Sequence, residues 1–400
     1  MSLIIGLVGK PSSGKSTFFN SCTLSNVDMA QYPFTTINKN EAVAYVTAQC
    51  PCAQLNIKCN PHNSDCKNGT RLIPVNIIDV AGLVPDAHEG KGMGNKFMDD
   101  LRNADSLIQV IDCSGKTNEK GEPTENYDIT NEIRFLEKEI NLWYHRIITK
   151  NLEKVIRKSM LEKKDLLKSI VEDLSGLKIN EMHIQQALEK NDLNLNSANK
   201  WSETEKELFA FTLREISKPM IYAANKFDTE NSKDNLEKLR DEFPKKTIIP
   251  TSAEYERALR NAAKKELVNY IPGNSSFDIT KKDELNEQQL KAIGKITDYL
   301  KENKSTGIQE CLNKVMFTIL DQIVVYPVQN ENKYSDGSGN ILPDAILMPR
   351  GSNAKDLAFK IHTDIGNTFL YAVDAKTKMR IKAEHEIKDG DIIKIVSTAR

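Results

Sequence analysis

No stretch of the sequence approaches the roughly 20 consecutive apolar residues that a membrane span requires, so no membrane partner is expected. The opening Met1–Gly9 lacks a basic leader, and its apolar run from Leu3 to Val8 is broken by Gly6. That is too short for the apolar region of a secretion signal, and a cytoplasmic protein is expected. Charge of one sign is lacking too. The chain has 55 Lys and Arg against 56 Asp and Glu, a formal charge of -1, which gives no global field to gather nucleic acid or an anionic surface. Any RNA contact must come from a local patch. Internal repeats and low-complexity tracts are absent. The seven cysteines are an odd number, and in a long chain without a secretion signal they read as thiols of a reducing compartment.

What is present suffices for more than one core. At 400 residues, 39% hydrophobic and 28% charged, two or three domains are expected. Apolar runs at Leu3–Val8, Leu72–Ile78 and Leu107–Ile111 have the pattern of buried parallel strands. The next such run, Met220–Ala224, comes only after Pro219. About a hundred residues therefore intervene where a β-α-β crossover needs ~30 in all, and an insert is expected at 113–218. Ile133, Leu136, Ile140, Trp143 and Ile147 make one apolar helical stripe there, Leu167, Ile170 and Leu174 continue the spacing, and Ser202 with Glu205 is a capping box. The insert is expected to be an antiparallel helical hairpin. Residues 256–322 read as a polar helical extension of a core domain made of 1–112 and 219–255. From 323 to 400 the texture is that of a compact α/β unit, with strands at Ile323–Val328, Phe369–Val373 and Ile392–Val396 and a helix carrying Ala354, Leu357, Ala358 and Ile361.

Gly9-Lys10-Pro11-Ser12-Ser13-Gly14-Lys15-Ser16-Thr17 follows a strand and opens a helix, the context of a phosphate loop. Backbone N–H groups and the helix N-terminus favour the β-phosphate, Lys15 bridges β- and γ-phosphates, and the Ser16 hydroxyl ligates Mg2+. Asp79, at the end of a strand and followed by Gly82, can hold a water of that Mg2+, and the Gly82 N–H can meet the γ-phosphate. Asn225-Lys226-Phe227-Asp228 ends another strand, and Asp228 can accept from guanine N1–H and the 2-amino group, donors that adenine lacks there. Lys226 can lie along the base, and Ser252 or Ala253 can offer an amide to guanine O6. Within Tyr32–Thr36 a threonine, Thr36 in preference to Thr35, can complete the Mg2+ shell when a γ-phosphate is present. Leu83 stands where many GTPases carry a water-orienting glutamine, and His88, among Gly90, Gly92 and Gly94, is the titratable candidate for that role.

Together with the stretch from His88 to Asn95, the helical insert and the C-terminal unit, these motifs resemble the Obg-related GTPases, most closely their archaeal YchF-like members. The resemblance implies an α/β P-loop NTPase G domain, a helical, coiled-coil-like insert, a C-terminal β-grasp TGS-like domain, GTP and GDP as ligands, and a partner at the ribosome, in its RNA or protein. Many YchF proteins have a degenerate base motif and prefer ATP; here Asn225 to Asp228 is intact. Relatives often have Asn where this chain has Ser12, a position associated with a potassium ligand, and potassium dependence stays open. So does the oligomeric state.

Cys50, Cys52, Cys59 and Cys66, with His62 among them, fall between Val46 and Arg71. Four thiolates in a loop can close a tetrahedral Zn2+ site, although Cys-x-Cys is tighter than the usual knuckle; unliganded or redox-sensitive thiols are the alternative. At the level of function, a slow GTP-hydrolysing switch competes with a metabolic P-loop phosphotransferase and an ATP-preferring ATPase. The guanine motif and the threonine loop favour the switch. A purely RNA-binding protein would need a basic surface, and the basic residues of the C-terminal unit, Lys355, Lys360, Lys376, Lys378, Arg380, Lys382 and Lys388 among them, are scattered along it.

Overall fold

A computed structural model of the chain describes residues 3–23, 40–80, 82, 94–125, 127–162 and 165–398. Thr36, with the rest of 32–36, and Leu83 and His88 lie outside these. In chain order the first elements are β1 (Ile4–Val8), α1 (Lys15–Thr23), β2 (Glu41–Gln49), α2 (Pro51–Leu55), β3 (Asp65–Lys67), β4 (Thr70–Asp79), α3 (Gly94–Asn103) and β5 (Ser106–Asp112). Helices α4 (Thr130–Glu162), α5 (Leu166–Leu174), α6 (Glu181–Lys190) and α7 (Glu203–Ser217) follow, then β6 (Met220–Asn225), α8 (Ser232–Glu242), β7 (Ile248–Pro250) and α9 (Ala253–Lys264).

These strands form one sheet in the order β2-β4-β1-β5-β6-β7, with β3 added beside β4. Strands β1, β4, β5, β6 and β7 are parallel, and β2 and β3 run antiparallel to β4. All seven residues of β5 are buried, as expected of a strand covered on both faces. Because the parallel strands point one way, Val8, Asp79, Asp112, Asn225 and Pro250 come out along a single edge, the edge at which open α/β sheets bind ligands.

The insert is more than a hairpin. Helix α4 packs against both α5 and α7, and α6 packs against α7. The expected single turn is replaced by several capped starts: Asp165 accepts from the Lys168 N–H, Asn180 forms a capping box with His183, and Ser202 forms the expected one with Glu205. Along α4, Ile133, Leu136, Ile140 and Trp143 are buried, but the stripe then moves from Ile147 to Tyr144, Ile148, Leu152 and Val155. A straight helix of 3.6 residues per turn drifts off a 3.5-residue repeat in this way.

Beyond α9 come β8 (Val268–Asn269) and β9 (Asp278–Ile279), an antiparallel ribbon within the stretch read as helical, then α10 (Glu287–Asn303) and α11 (Ile308–Asn313), which runs on into a turn of π-helix at Lys314–Ile319. The C-terminal unit has β10 (Gln322–Val328), β11 (Ile346–Pro349), α12 (Ala354–Ile361), α13 (Thr363–Asn367), β12 (Phe369–Asp374), β13 (Arg380–Ile381) and β14 (Ile392–Ser397). Its sheet has the order β11-β10-β14-β12-β13. Ala354, Leu357 and Ala358 face its core, whereas Ile361 is exposed. One hydrophobic cluster joins this unit to the first sheet, running from Ile5, Val46 and Ile73 through Leu312 and Val315 to Tyr326, Leu342 and Ile392.

Candidate nucleotide site

The loop after β1 is held open by its backbone. Ser12 has φ +62° and Gly14 φ +90°, values in the left-handed region that cost a side chain energy and gather at functional loops. A Cβ on Gly14 would fall 2.3 Å from Asn225 Nδ2, so only glycine lets the loop meet the β6 end. Helix α1 starts at Lys15 and presents its N-terminus to the loop. Lys15 Nζ lies 2.5 Å from Asp79 Oδ1, and the Ser16 hydroxyl donates to Asp79 Oδ2 at 3.2 Å. The motif on β1 and that on β4 thus meet. Oxygen donors at a helix N-terminus suit a hard cation such as Mg2+. Gly82 sits against Pro11: a Cβ there would be 3.5 Å from its ring.

Asn225 has a bridging role that its motif alone does not announce. Its Nδ2 donates to Ser13 O at 3.1 Å, and its Oδ1 accepts from the Ala253 N–H at 3.1 Å. The amides of Thr251 and Ser252 donate to Ala224 O and Thr306 O. The amides expected to serve guanine O6 are thus engaged within the chain, and Asn225 and Ala253 brace the site. Lys226, at φ +61°, reaches Ser12 O at 2.8 Å and Asp112 Oδ2 at 2.9 Å, so its head is tied to the phosphate loop. Asp228 is exposed and accepts from the Ser252 hydroxyl at 2.7 Å, which occupies one of its two oxygens.

Asp112 and Glu132 belong to the site although no motif marks them. Burial alone would raise the Asp112 carboxyl, but hydrogen bonds from Ser114, Thr117 and Lys226 outweigh it and hold the group below its usual value. Lys10, almost wholly buried, pairs with Glu132 at 2.9 Å and donates to the carbonyls of Thr117 and Asn118. The first turn of α4 is in this way bound to the phosphate loop. Burial pushes the Glu132 carboxyl from 4.5 up to about 7, against the pull of Lys10. A carboxyl raised on folding stabilises the chain fully below the unfolded value and loses that contribution as pH rises through the folded one. Glu132→Gln should therefore remove a fall in stability between about pH 4.5 and about pH 7, read by urea unfolding across that window; an unchanged slope would put the titration elsewhere.

The four cysteines also converge. Their sulfurs all lie within 4.8 Å of one another, with Cys50 and Cys59 4.0 Å apart and Cys52 and Cys66 3.7 Å apart. A tetrahedral ion with Zn–S bonds of about 2.3 Å spaces its ligands about 3.8 Å apart. The tight Cys-x-Cys pair fits because Cys50 is the N-cap of α2 and Cys52 lies in its first turn, while Cys66 comes from β3. The neighbouring thiols pull the Cys50 thiol below its usual value against its own burial, and burial pushes Cys52 up. His62 stands apart, 3.9 Å from Asp336.

A phosphate loop on β1, an aspartate on β4 beside its lysine, and an Asn-Lys-x-Asp turn on β6 braced against that loop define a P-loop nucleotide-binding protein. Comparison with known proteins carries this further. Residues 4–150 match the 50S ribosome-binding GTPase family, 223–330 the G4 motif-containing domain of YGR210-like Obg-like GTPases, and 338–397 the TGS domain. The chain is 51% identical to an uncharacterized GTP-binding protein of Methanocaldococcus jannaschii, covering 99% of this chain and 100% of that one. A GTP binding protein from Pyrococcus horikoshii OT3 of known crystal structure is 38% identical, with a TM-score of 0.80 over 99% of this chain and 100% of that one. A more distant relative, 27% identical over 98% of each chain, is the ribosome-binding ATPase YchF of Buchnera aphidicola. The chain belongs to the Obg-like, YchF-related GTPases, with a P-loop G domain, a helical region and a C-terminal TGS domain.

Proposed function

We propose that the protein is a guanine-selective switch that hydrolyses GTP slowly and acts with the ribosome. The observation that carries the proposal is Asp228, intact in its motif and fixed by Ser252 on the turn that Asn225 and Lys226 tie to the phosphate loop. A carboxylate there pairs with two guanine donors and is left unpaired by adenine. The ribosome-binding ATPase named among the relatives supports the partner, while the intact motif argues for GTP in this chain.

In this account Gly9, Pro11, Ser12, Ser13, Gly14, Lys15, Ser16 and Thr17 cradle the phosphates, and Lys15 leaves Asp79 to bridge the β- and γ-groups. Ser16 and Thr36 would ligate Mg2+ directly and Asp79 through water; the ion supplies charge neutralisation on the phosphates. Gly82 offers its N–H to the γ-phosphate. His88 orients the attacking water, since Leu83 has neither donor nor acceptor. Cys50, Cys52, Cys59 and Cys66 hold a structural Zn2+.

Single-turnover hydrolysis tests the catalytic assignment. His88→Ala should keep GTP affinity and lose about tenfold or more in rate, with ribosomes raising the wild-type rate and co-sedimenting best with the protein in a non-hydrolysable GTP analogue. A variant that hydrolyses at the wild-type rate with and without ribosomes removes His88 from the reaction and leaves water positioning to backbone groups or to the partner.

A further inference from the structure

The cysteine group lies at the seam between the two sheets. From Cys59 to Ser64 the chain has no helix or strand of its own, yet it is laid along the segment 341–345 of the C-terminal domain. The Asn60 N–H donates to Ile341 O at 3.0 Å and the His62 N–H to Pro343 O at 2.7 Å. Asn63 adds two bonds, accepting from the Ala345 N–H at 3.0 Å and donating to Ala345 O at 3.2 Å. Asn60, His62 and Asn63 all lie between Cys59 and Cys66 in sequence. Whatever fixes the thiols therefore fixes the strip that grips the C-terminal domain.

Arg71 supplies a second link. It is fully buried on β4 and donates to Leu342 O at 2.7 Å and Pro343 O at 3.3 Å. Its guanidinium lies 5.5 Å from the centre of the Tyr326 ring on β10 and 3.8 Å from Cys59 Sγ. Among the described residues it has no carboxylate partner within ion-pair distance. The carboxylate that its charge does reach, Asp344 beside Pro343, lies beyond that distance, and a buried arginine without a close counter-charge is costly. Four thiolates around one Zn2+ leave two net negative charges, and a guanidinium against one sulfur offsets part of that excess. Neutral thiols would leave Arg71 without that compensation.

We infer that Zn2+ bound by Cys50, Cys52, Cys59 and Cys66 fastens the C-terminal TGS domain to the nucleotide-binding sheet, through the strip 60–63 and Arg71; this rests on the zinc assignment made above. The metal gives order to a loop that has little of its own, and its removal frees both sides of the seam. Cys50 and Cys52 share a hydrophobic cluster with Tyr326, Leu342 and Ala345, so the site is continuous with the packing between the sheets.

The test uses the full chain, purified under reducing, anaerobic conditions. Elemental analysis should give about one zinc per chain. Zinc is then removed with a mercurial and thiol, and hydrogen exchange is followed at 57–64, 341–345 and β5. Loss of zinc should raise exchange at the first two segments by about tenfold or more while leaving β5 protected, and added Zn2+ should restore it. Cys59→Ser should reproduce the metal-free pattern; because a folding defect in that variant would raise exchange as well, the reversible removal decides. If zinc is present but 341–345 stays protected without it, the fastening role is wrong and the zinc assignment stands. If the protein takes up no zinc, or the cysteines are found as two disulfides, both fall.

Discussion

Asp228→Asn should turn the site from guanine to xanthine nucleotides. The carboxylate accepts from N1–H and the 2-amino group of guanine, and xanthine presents an oxygen where the amino group was. An asparagine amide can donate to that oxygen and leaves guanine's amino group facing a donor. Each lost or unsatisfied bond costs on the order of 1–3 kcal/mol, so GDP affinity should fall by roughly a hundredfold and XDP should overtake it. The substitution is otherwise mild, because Asn Oδ1 can keep the bond that the Ser252 hydroxyl makes to Asp228 at 2.7 Å. Ser252→Ala is not mild in the same way, since that hydroxyl also caps α9 through the Tyr255 N–H. Competition binding with GDP, XDP and ADP separates the cases; a variant that loses all three equally would indicate a misfolded turn.

Lys15→Ala should nearly abolish nucleotide binding. The ammonium would bridge two phosphate groups, and two charge-assisted bonds of about 1.5–3 kcal/mol each correspond to a loss of the order of a thousandfold. Removal also exposes the phosphates to Asp79, whose carboxylate Lys15 now holds at 2.5 Å. The effect on the nucleotide-free chain should be small, because this pair keeps some contact with solvent and such pairs add only about a kcal/mol. The expected signature is a normal melting temperature without nucleotide and no rise on adding Mg2+ with a non-hydrolysable GTP analogue. A variant that still gains several degrees with that analogue would show that Lys15 does not carry the phosphate contact.

How far this was legible in the sequence differs from residue to residue. The phosphate loop, Asp79 and the turn at Asn225–Asp228 could be read because each follows an apolar run, and parallel strands deliver their C-terminal ends to one edge. The links among them could not. Lys10 with Glu132, Lys226 with Asp112 and Asn225 with Ser13 join residues more than a hundred positions apart, and nothing local marks either partner. The periodicity in the insert gave helices, but their number depends on caps at Asp165 and Asn180, single polar residues that read equally well as surface. The Cys-x-Cys spacing is tighter than a loop knuckle uses, but with Cys50 capping α2 and Cys52 on its first turn the two sulfurs approach Cys59 and Cys66, and nothing local in the sequence marks that short helix. The ribbon at Val268–Asn269 and Asp278–Ile279 is too short to leave a period at all.

The measurement closest to the central claim is calorimetric titration of the wild-type chain with Mg-GDP and Mg-ADP in parallel. Asp228 on a turn tied to the phosphate loop predicts GDP binding at least tens of times tighter, which is about 2 kcal/mol or more. Equal affinities, or tighter ADP, would contradict guanine selectivity and place the chain with its ATP-hydrolysing relatives.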